Sequence, residues 1–181
     1  SIYPAGASDA ATFRKNIERL LGIYPWSVTS AMLNLLDSHD MPRFVTLANE
    51  DVSALRLATL FQMTYPGAPS IYYGDEVGLS GGHDPANRAA FPWHRTDSWN
   101  TDLLHDFQRF IALRKARPSL RRGMIQFLHA AEEVVVYARQ YRGETCVVAI
   151  NVANATRRFD APLAGLVPAG GALEATWKQD E

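Results

Sequence analysis

The chain is poor in several features that would fix a protein's setting. Among its 181 residues there is one cysteine, Cys146. A single thiol excludes an internal disulfide and leaves no cysteine pair from which to build a zinc site. Its neighbours Val147-Val148-Ala149-Ile150 read as strand, which makes Cys146 a buried, inert hydrophobe rather than a reactive thiol. Excess charge is lacking too: 18 basic residues stand against 19 acidic ones, for a formal net charge of −1. Paired arginines occur only at Arg121-Arg122 and Arg157-Arg158, so the charge pattern points to neither nucleic acid nor an anionic membrane as partner. No apolar run approaches the ~20 residues of a membrane-spanning helix. The chain starts at Ser1 with no signal-like segment, which gives no reading of its compartment. No internal repeat is present.

What is present is a 47% hydrophobic content, enough for one domain or somewhat more. Ser8 or Asp9 can cap a helix to about Leu21, with Phe13, Ile17, Leu20 and Leu21 on one side and Gly22 at its end. Tyr24-Pro25-Trp26 is a loop. Met32–Leu36 reads as a short strand buried on both faces. Glu50 and Asp51 open a second helix, Val52–Thr64, and Tyr65-Pro66-Gly67-Ala68-Pro69 breaks it. Ser70-Ile71-Tyr72-Tyr73 then reads as a second buried strand. Strand, helix, strand over ~40 residues is a right-handed parallel βαβ unit. A long segment from Gly74 to Asn100 has no helical or strand period, yet it is too aromatic for disorder. Thr101 caps a third helix that runs to Arg117 and is stopped by Pro118. The pattern then changes. Met124–Leu128, Val134–Arg139 and Thr145–Asn151 read as strands, the last two joined by a turn at Arg142-Gly143, and Arg157–Phe159 offers one more. The fold class is α/β followed by all-β, with residues 1–120 in the first part and 121–181 in the second.

The chemistry concentrates where the first strand ends, at Asp37-Ser38-His39-Asp40-Met41-Pro42-Arg43. A parallel strand releasing carboxylates, a hydroxyl, an imidazole and a guanidinium at its carboxyl end is where α/β folds place active sites. The residues alone leave a second reading open, in which Asp37 or Ser38 caps a following helix and His39 and Asp40 pair on the surface.

Three motifs stand in order: Leu36-Asp37-Ser38-His39-Asp40-Met41-Pro42-Arg43, Gly67-Ala68-Pro69-Ser70-Ile71-Tyr72-Tyr73-Gly74-Asp75-Glu76, and Gly82-His83-Asp84-Pro85-Ala86-Asn87-Arg88 leading to Pro92-Trp93. Together they resemble the C-terminal third of an α-amylase family enzyme, glycoside hydrolase family 13. The resemblance is greatest to its neopullulanase, cyclomaltodextrinase and maltogenic-amylase branch, over roughly residues 10 to 150. It implies the C-terminal portion of a TIM (β/α)₈ barrel, strands seven and eight with flanking helices, followed by a partial antiparallel β-sandwich. A whole barrel takes ~250 residues, so the chain reads as a fragment.

Retaining glycosidases need a nucleophilic carboxylate and a carboxylic acid. The resemblance assigns both to earlier strands, and no stretch here matches them, so the chain alone is expected to be inactive. It implies that Asp40 is the transition-state-stabilising carboxylate and that His39 binds the same sugar. Asp84 and Arg88 would bind the same or a neighbouring hydroxyl, or else form an internal salt bridge that pins their loop. Arg43 stands near substrate in some relatives, or is surface charge. Tyr73 and Trp93, with Phe44 and Trp99, are candidates to stack on sugar faces or to fill the core. Asp75 and Glu76 read as structural polar groups. The histidines show no metal spacing, and the family's calcium lies elsewhere, so neither metal nor cofactor is expected. The implied partner is an α-glucan oligosaccharide, cleaved at α-1,4 bonds with α-1,6 bonds as a further candidate, and the exposed barrel edge is a candidate surface for self-association. Alternatives are an α-glucan transglycosidase, a non-catalytic amylase-like ancillary protein, and a carbohydrate-binding protein.

Overall fold

The structure is a computed structural model that describes residues 9–167 and 174–175. Its α/β part is built on two short parallel strands, β1 (Leu33–Leu35) and β2 (Ala68–Ser70), with Leu33 opposite Ala68 and Leu35 opposite Ser70. α2 (Trp26–Thr29) precedes β1, and α3 (Phe44–Leu47) and α4 (Val52–Thr64) run between the two strands. Asp51 starts α4 by accepting the Ser53 and Ala54 amides at 2.8 and 3.1 Å. The chain reverses at Gly67, whose φ of +105° suits glycine alone; a Cβ there would lie 2.6 Å from Asn34 Nδ2 and from the Met32 carbonyl. Buried Gln62 then ties helix to sheet, donating to the Asn34 and Ser70 carbonyls at 3.0 and 2.8 Å.

Two expectations about these strands need correction. The second was placed at Ser70–Tyr73, but pairing begins directly after the Gly67 reversal and ends at Ser70. Tyr72 and Tyr73 lie beyond it. The first was read as buried on both faces. Leu36 and Ile71 do pack against Val45, Leu55, Leu103 and Phe107. On the opposite face, however, Leu33 and Leu35 are 64% and 44% exposed, because no described element covers that side.

Asp9 caps α1 (Ala10–Leu21) by accepting the Thr12 amide at 2.7 Å; the alternative cap, Ser8, lies outside the described residues. Phe13 of α1 meets Phe61 of α4 edge-on at 5.2 Å, while Leu20 is exposed rather than packed. The third long helix, α5 (Thr101–Ala116), is capped by Asn100 and not by Thr101: Asn100 Oδ1 accepts the Leu103 amide at 3.0 Å. Pro118 ends that helix and also opens a short one, α6 (Pro118–Arg122), where its missing N–H is harmless.

The β part is a three-stranded antiparallel sheet in the order β3 (Met124–Ala131), β4 (Val134–Tyr141), β5 (Glu144–Asn151). Arg142 and Gly143 both have positive φ, 49° and 86°, as the tight turn between β4 and β5 requires. β4 is buried from Val134 to Arg139. Val135 and Tyr137 face a core with Leu60, Met63 and Phe110, and Val134, Val136 and Ala138 face Ala161, Leu163 and Leu166. Arg157–Phe159 forms no strand; Arg157 instead donates to Glu133 at 2.6 Å. Cys146 is half-buried and accepts the Ser119 hydroxyl at 3.1 Å.

Two arginines meet the end of α4, and the second of them joins the two parts. Arg114 donates to the carbonyls of Met63 (2.8 Å), Tyr65 (3.1 Å) and Gly67. Fully buried Arg139 donates to the Thr64 carbonyl and, at 2.7 Å, to that of Gly123. The last carbonyls of a helix lack intrahelical partners and carry its negative end, so guanidinium groups suit them. Burial pulls Arg139 down to about 10, still charged at neutral pH. Among the described residues no helix is long and apolar enough to cross a membrane.

Candidate functional site

Each strand ends in a loop on the same side of the sheet, and the two loops meet. The first runs from Asp37 to Arg43. Buried Asp37 accepts the Phe44 amide on Oδ2 at 2.6 Å, closing the loop on itself at the start of α3. Ser38 Oγ accepts the Asp40 amide at 3.1 Å, and the Met41 amide reaches the Ser38 carbonyl at 3.2 Å. This tight turn holds His39 and Asp40 outward, with Asp40 71% exposed. His39 Nε2 lies 3.3 Å from Asp40 Oδ1. Asp37 thus meets the first amide of α3, although Arg43 holds the cap position, and His39 and Asp40 do pair at the surface, where both side chains stay exposed.

The second loop follows β2 and carries three short 3₁₀ turns, Asp75–Val77, Ala86–Arg88 and Thr96–Ser98. It returns to the first at Gly81, whose carbonyl accepts the Arg43 amide and whose amide donates to Thr46 Oγ1, both at 2.9 Å. A Cβ at Gly81 would lie 2.5 Å from the Ala86 carbonyl oxygen. Buried Asn87 adds a double tie, donating from Nδ2 to the His39 and Met41 carbonyls at 2.9 Å each. With Asn87 fixed, Arg88 spans the two loops: Nη2 is 3.5 Å from Asp40 Oδ1, and Nε is 3.5 Å from Asp84 Oδ2. His39, Asp40, Asp84 and Arg88 are thus brought together. All are exposed, so their ion pairs add little to stability. The arrangement presents carboxylate acceptors beside imidazole and guanidinium donors. That suits a ligand rich in hydroxyls, each of which donates and accepts.

Arg43 is elsewhere. It is 0% exposed, with Nη1 donating to the Tyr73 carbonyl at 2.8 Å and to Asp75 Oδ1 at 3.0 Å. Its guanidinium carbon sits 4.5 and 5.0 Å from the Tyr72 and Tyr73 ring centres. Neither of its expected roles survives, since an enclosed side chain is neither surface charge nor able to touch a ligand. Asp75 is buried as its partner, and Glu76 accepts the Gly74 amide at 2.7 Å. Burial first, and the negative charge of Asp37 second, push Asp75 up to about 8, against the pull of Arg43.

Of the aromatic candidates, Phe44 packs into the core. Trp99 is half-buried and donates Nε1 to the Pro92 carbonyl at 3.1 Å. With Phe91 it supports Trp93, whose ring is 4.3 Å from that of Phe91 and is 67% exposed. Tyr73 keeps one face to solvent and donates its hydroxyl to the Ala89 carbonyl at 2.9 Å. Asn87, Tyr72 and Gly81 were not singled out from sequence. Only the Gly81-Gly82 doublet carried a signal there, of close backbone approach. Among the described residues no group of three His, Cys, Asp or Glu side chains is placed to hold a metal ion.

Residues 7–99 match the family model described as alpha amylase, catalytic domain, and residues 123–166 the model described as alpha-amylase C-terminal domain. The chain is 40% identical over 156 residues to a cyclomaltodextrinase of Geobacillus thermopakistaniensis, a match covering 85% of this chain and 26% of that protein. It is 38% identical over 136 residues to neopullulanase 2 of Thermoactinomyces vulgaris, covering 75% and 23%. The solved structure of the cyclic α-maltosyl-(1→6)-maltose hydrolase of Arthrobacter globiformis, in complex with cyclic α-maltosyl-(1→6)-maltose, superposes with a TM-score of 0.77 at 36% identity, covering 81% of this chain and 33% of that one. The chain therefore spans 26% and 23% of the length of these two curated relatives.

Proposed function

This chain belongs to the α-amylase family, glycoside hydrolase family 13, and on that footing we propose that it forms one wall of the cleft in which a longer retaining enzyme cleaves α-glucosidic bonds. In this reading β1 and β2 are the seventh and eighth strands of a (β/α)₈ barrel, and β3 to β5 begin the C-terminal β domain. The exposed Leu33 and Leu35 face would meet the other strands of the barrel. The nucleophilic Asp and the acid Glu belong to those other strands. Substrates are starch-type oligosaccharides or cyclodextrins with α-1,4 or α-1,6 linkages.

Asp40 is the carboxylate that grips the sugar hydroxyls more tightly as the ring flattens toward the oxocarbenium-like transition state. His39 hydrogen-bonds the same sugar, and Arg88 with Asp84 holds an adjacent hydroxyl while orienting Asp40. Tyr73 and Trp93 offer ring faces to sugar C–H surfaces. Arg43 acts from below and touches no sugar. The observation that carries the reading is the meeting of Asp40 with His39 at 3.3 Å and Arg88 at 3.5 Å, in solvent, at the carboxyl end of two parallel strands.

The test has two arms. The purified chain releases no reducing sugar from maltotriose, cyclodextrin or pullulan. In the full-length enzyme, Asp40→Asn lowers kcat by ~10²–10³-fold with a smaller change in KM, the scale of a lost transition-state contact, whereas Arg88→Ala weakens ground and transition states more evenly. Turnover by the chain that persists through repurification and disappears in Asp40→Ala would overturn the division of labour. Equal, mild effects of Asp40→Asn and Arg88→Ala would remove Asp40 from its role.

A further inference from the structure

Beneath the exposed cluster lies a dry one. Asp37 and Asp75 are 2% and 4% exposed, and one buried guanidinium, that of Arg43, stands between their loops. Two carboxylates thus share a single countercharge, and the hydrogen bonds are uneven. Arg43 gives Nη1 to Asp75 Oδ1 at 3.0 Å. Asp37 spends Oδ2 on the Phe44 amide, and its Oδ1 is buried with no donor among the described residues. A bare buried acceptor costs ~1–3 kcal/mol, and an uncompensated buried charge costs more. Ionised together, the two aspartates would incur both penalties.

One proton removes both. Carried on Asp75 and donated to Asp37 Oδ1, it satisfies the orphaned oxygen and cancels the surplus charge. We propose that Asp37 and Asp75 share one proton beneath the His39–Asp40 loop, and that this acid–carboxylate pair, sealed by Arg43, is the positioning element for Asp40. The function of that positioning rests on the reading of Asp40 given above; the shared proton does not. Asp37 closes the loop through the Phe44 amide, so the six residues Ser38–Arg43 hang from its carboxylate. Asp75, through Asp37, holds that carboxylate in place.

The surroundings support a single resident proton. Asp75 faces Asp37 from the loop after β1, Arg43 from the start of α3, and the rings of Tyr72 and Tyr73, which stack on Arg43, from its own loop. Arg88 lies close enough to act electrostatically on Tyr72. Glu76 is turned to the Gly74 amide. Leu103 of α5 and its cap residue Asn100 lie against Gly78, and neither is charged. Asp75 is accordingly pushed up to about 8, so the pair keeps its proton at neutral pH and releases it in mild alkali. The two negative charges then repel, Asp37 shifts off the Phe44 amide, and the loop loosens.

Infrared difference spectra of the 181-residue chain, carrying carboxyl-labelled aspartate and titrated from acid to alkaline pH, test this. The expected result is a protonated aspartate band at neutral pH that vanishes with a midpoint near 8 and is absent from Asp75→Asn. In Asp37→Asn, Asp75 keeps only Arg43 as a charged neighbour, and its midpoint moves down by more than one pH unit, a tenfold or greater loss of proton affinity. Hydrogen exchange of residues 37–44 rises through the wild-type midpoint and stays level in Asp75→Asn. Absence of a protonated aspartate at neutral pH, or its persistence in Asp75→Asn, overturns the proposal; the wild-type titration decides even where a variant folds poorly. A titration with maltotriose that leaves His39 and Asp40 unmoved removes the sugar reading and leaves the shared proton standing.

Discussion

Replacing Asn87 with alanine takes one side chain out from between the two loops of the site. Asn87 donates to the His39 and Met41 carbonyls at 2.9 Å each. Two buried acceptors left bare would together cost up to ~6 kcal/mol. Two effects lower that figure. The loop is exposed at His39 and Asp40, so water enters once the amide is gone, and Asn87 Oδ1, itself buried without a donor, is removed as well. A net loss of ~1–3 kcal/mol remains, concentrated in local opening of the loop rather than in global unfolding. Asn87→Asp keeps the shape but sets a carboxylate against two carbonyl oxygens, and it costs more than alanine. Urea unfolding measures the global part, and hydrogen exchange across residues 37–44 measures the local part. Opening is expected to rise by about tenfold for each ~1.4 kcal/mol. If both variants leave exchange in that segment at the wild-type rate, Asn87 does not hold the site together and the geometric reasoning fails.

Further outcomes follow from the same structure. Gly81→Ala would put a Cβ 2.5 Å from the Ala86 carbonyl oxygen and destabilises the chain by ~1–3 kcal/mol, whereas Gly82→Ala, with nothing within 4 Å, changes stability little; thermal unfolding of the pair separates them. Because the Asp75 carboxyl is raised from 3.8 to about 8, its contribution is complete below 3.8, declines as pH rises to about 8 and is flat above; the wild-type-minus-Asp75→Asn difference in urea stability should fall over that window, by a few kcal/mol at most, and a constant difference contradicts the assignment. The isolated chain, with Leu33, Leu35, Met32, Ile23 and Tyr24 exposed, self-associates, and Leu33→Lys with Leu35→Lys restores a monomer; light scattering that finds the wild type monomeric at high concentration counts against the open sheet.

How much of this could be read in the residues depended on how local the controlling contacts are. α4 was legible to the residue because Asp51 caps it and Tyr65-Pro66-Gly67 ends it, all within its own length. The cap of α5 was misplaced by one residue, since Asn100 and Thr101 compete for the role by the same chemistry. β2 slid toward its amino end because the positive φ of Gly67 decides where pairing starts. Leu33 and Leu35 read as buried because apolar side chains announce a need for cover without saying whether the cover is present. Arg43 and Asn87 escaped a local reading for one reason: the atoms that enclose them lie 30 to 48 residues away. His39, Asp40, Asp84 and Arg88 were legible as a motif, and their mutual distances were not.

The grip of Arg139 on the Thr64 carbonyl has a consequence for how such a chain is made. The two residues are separated by 75 positions. At about 5–20 residues per second, a ribosome that has finished α4 needs roughly 4–15 s more before the arginine that closes it is even synthesised. Until then the Thr64 carbonyl lacks its guanidinium, and Arg114 alone, made 25 residues earlier, can hold the turn into β2. The β sheet is therefore a latch fitted after the door is hung: the end of α4 completes its hydrogen bonding only once β4 has emerged.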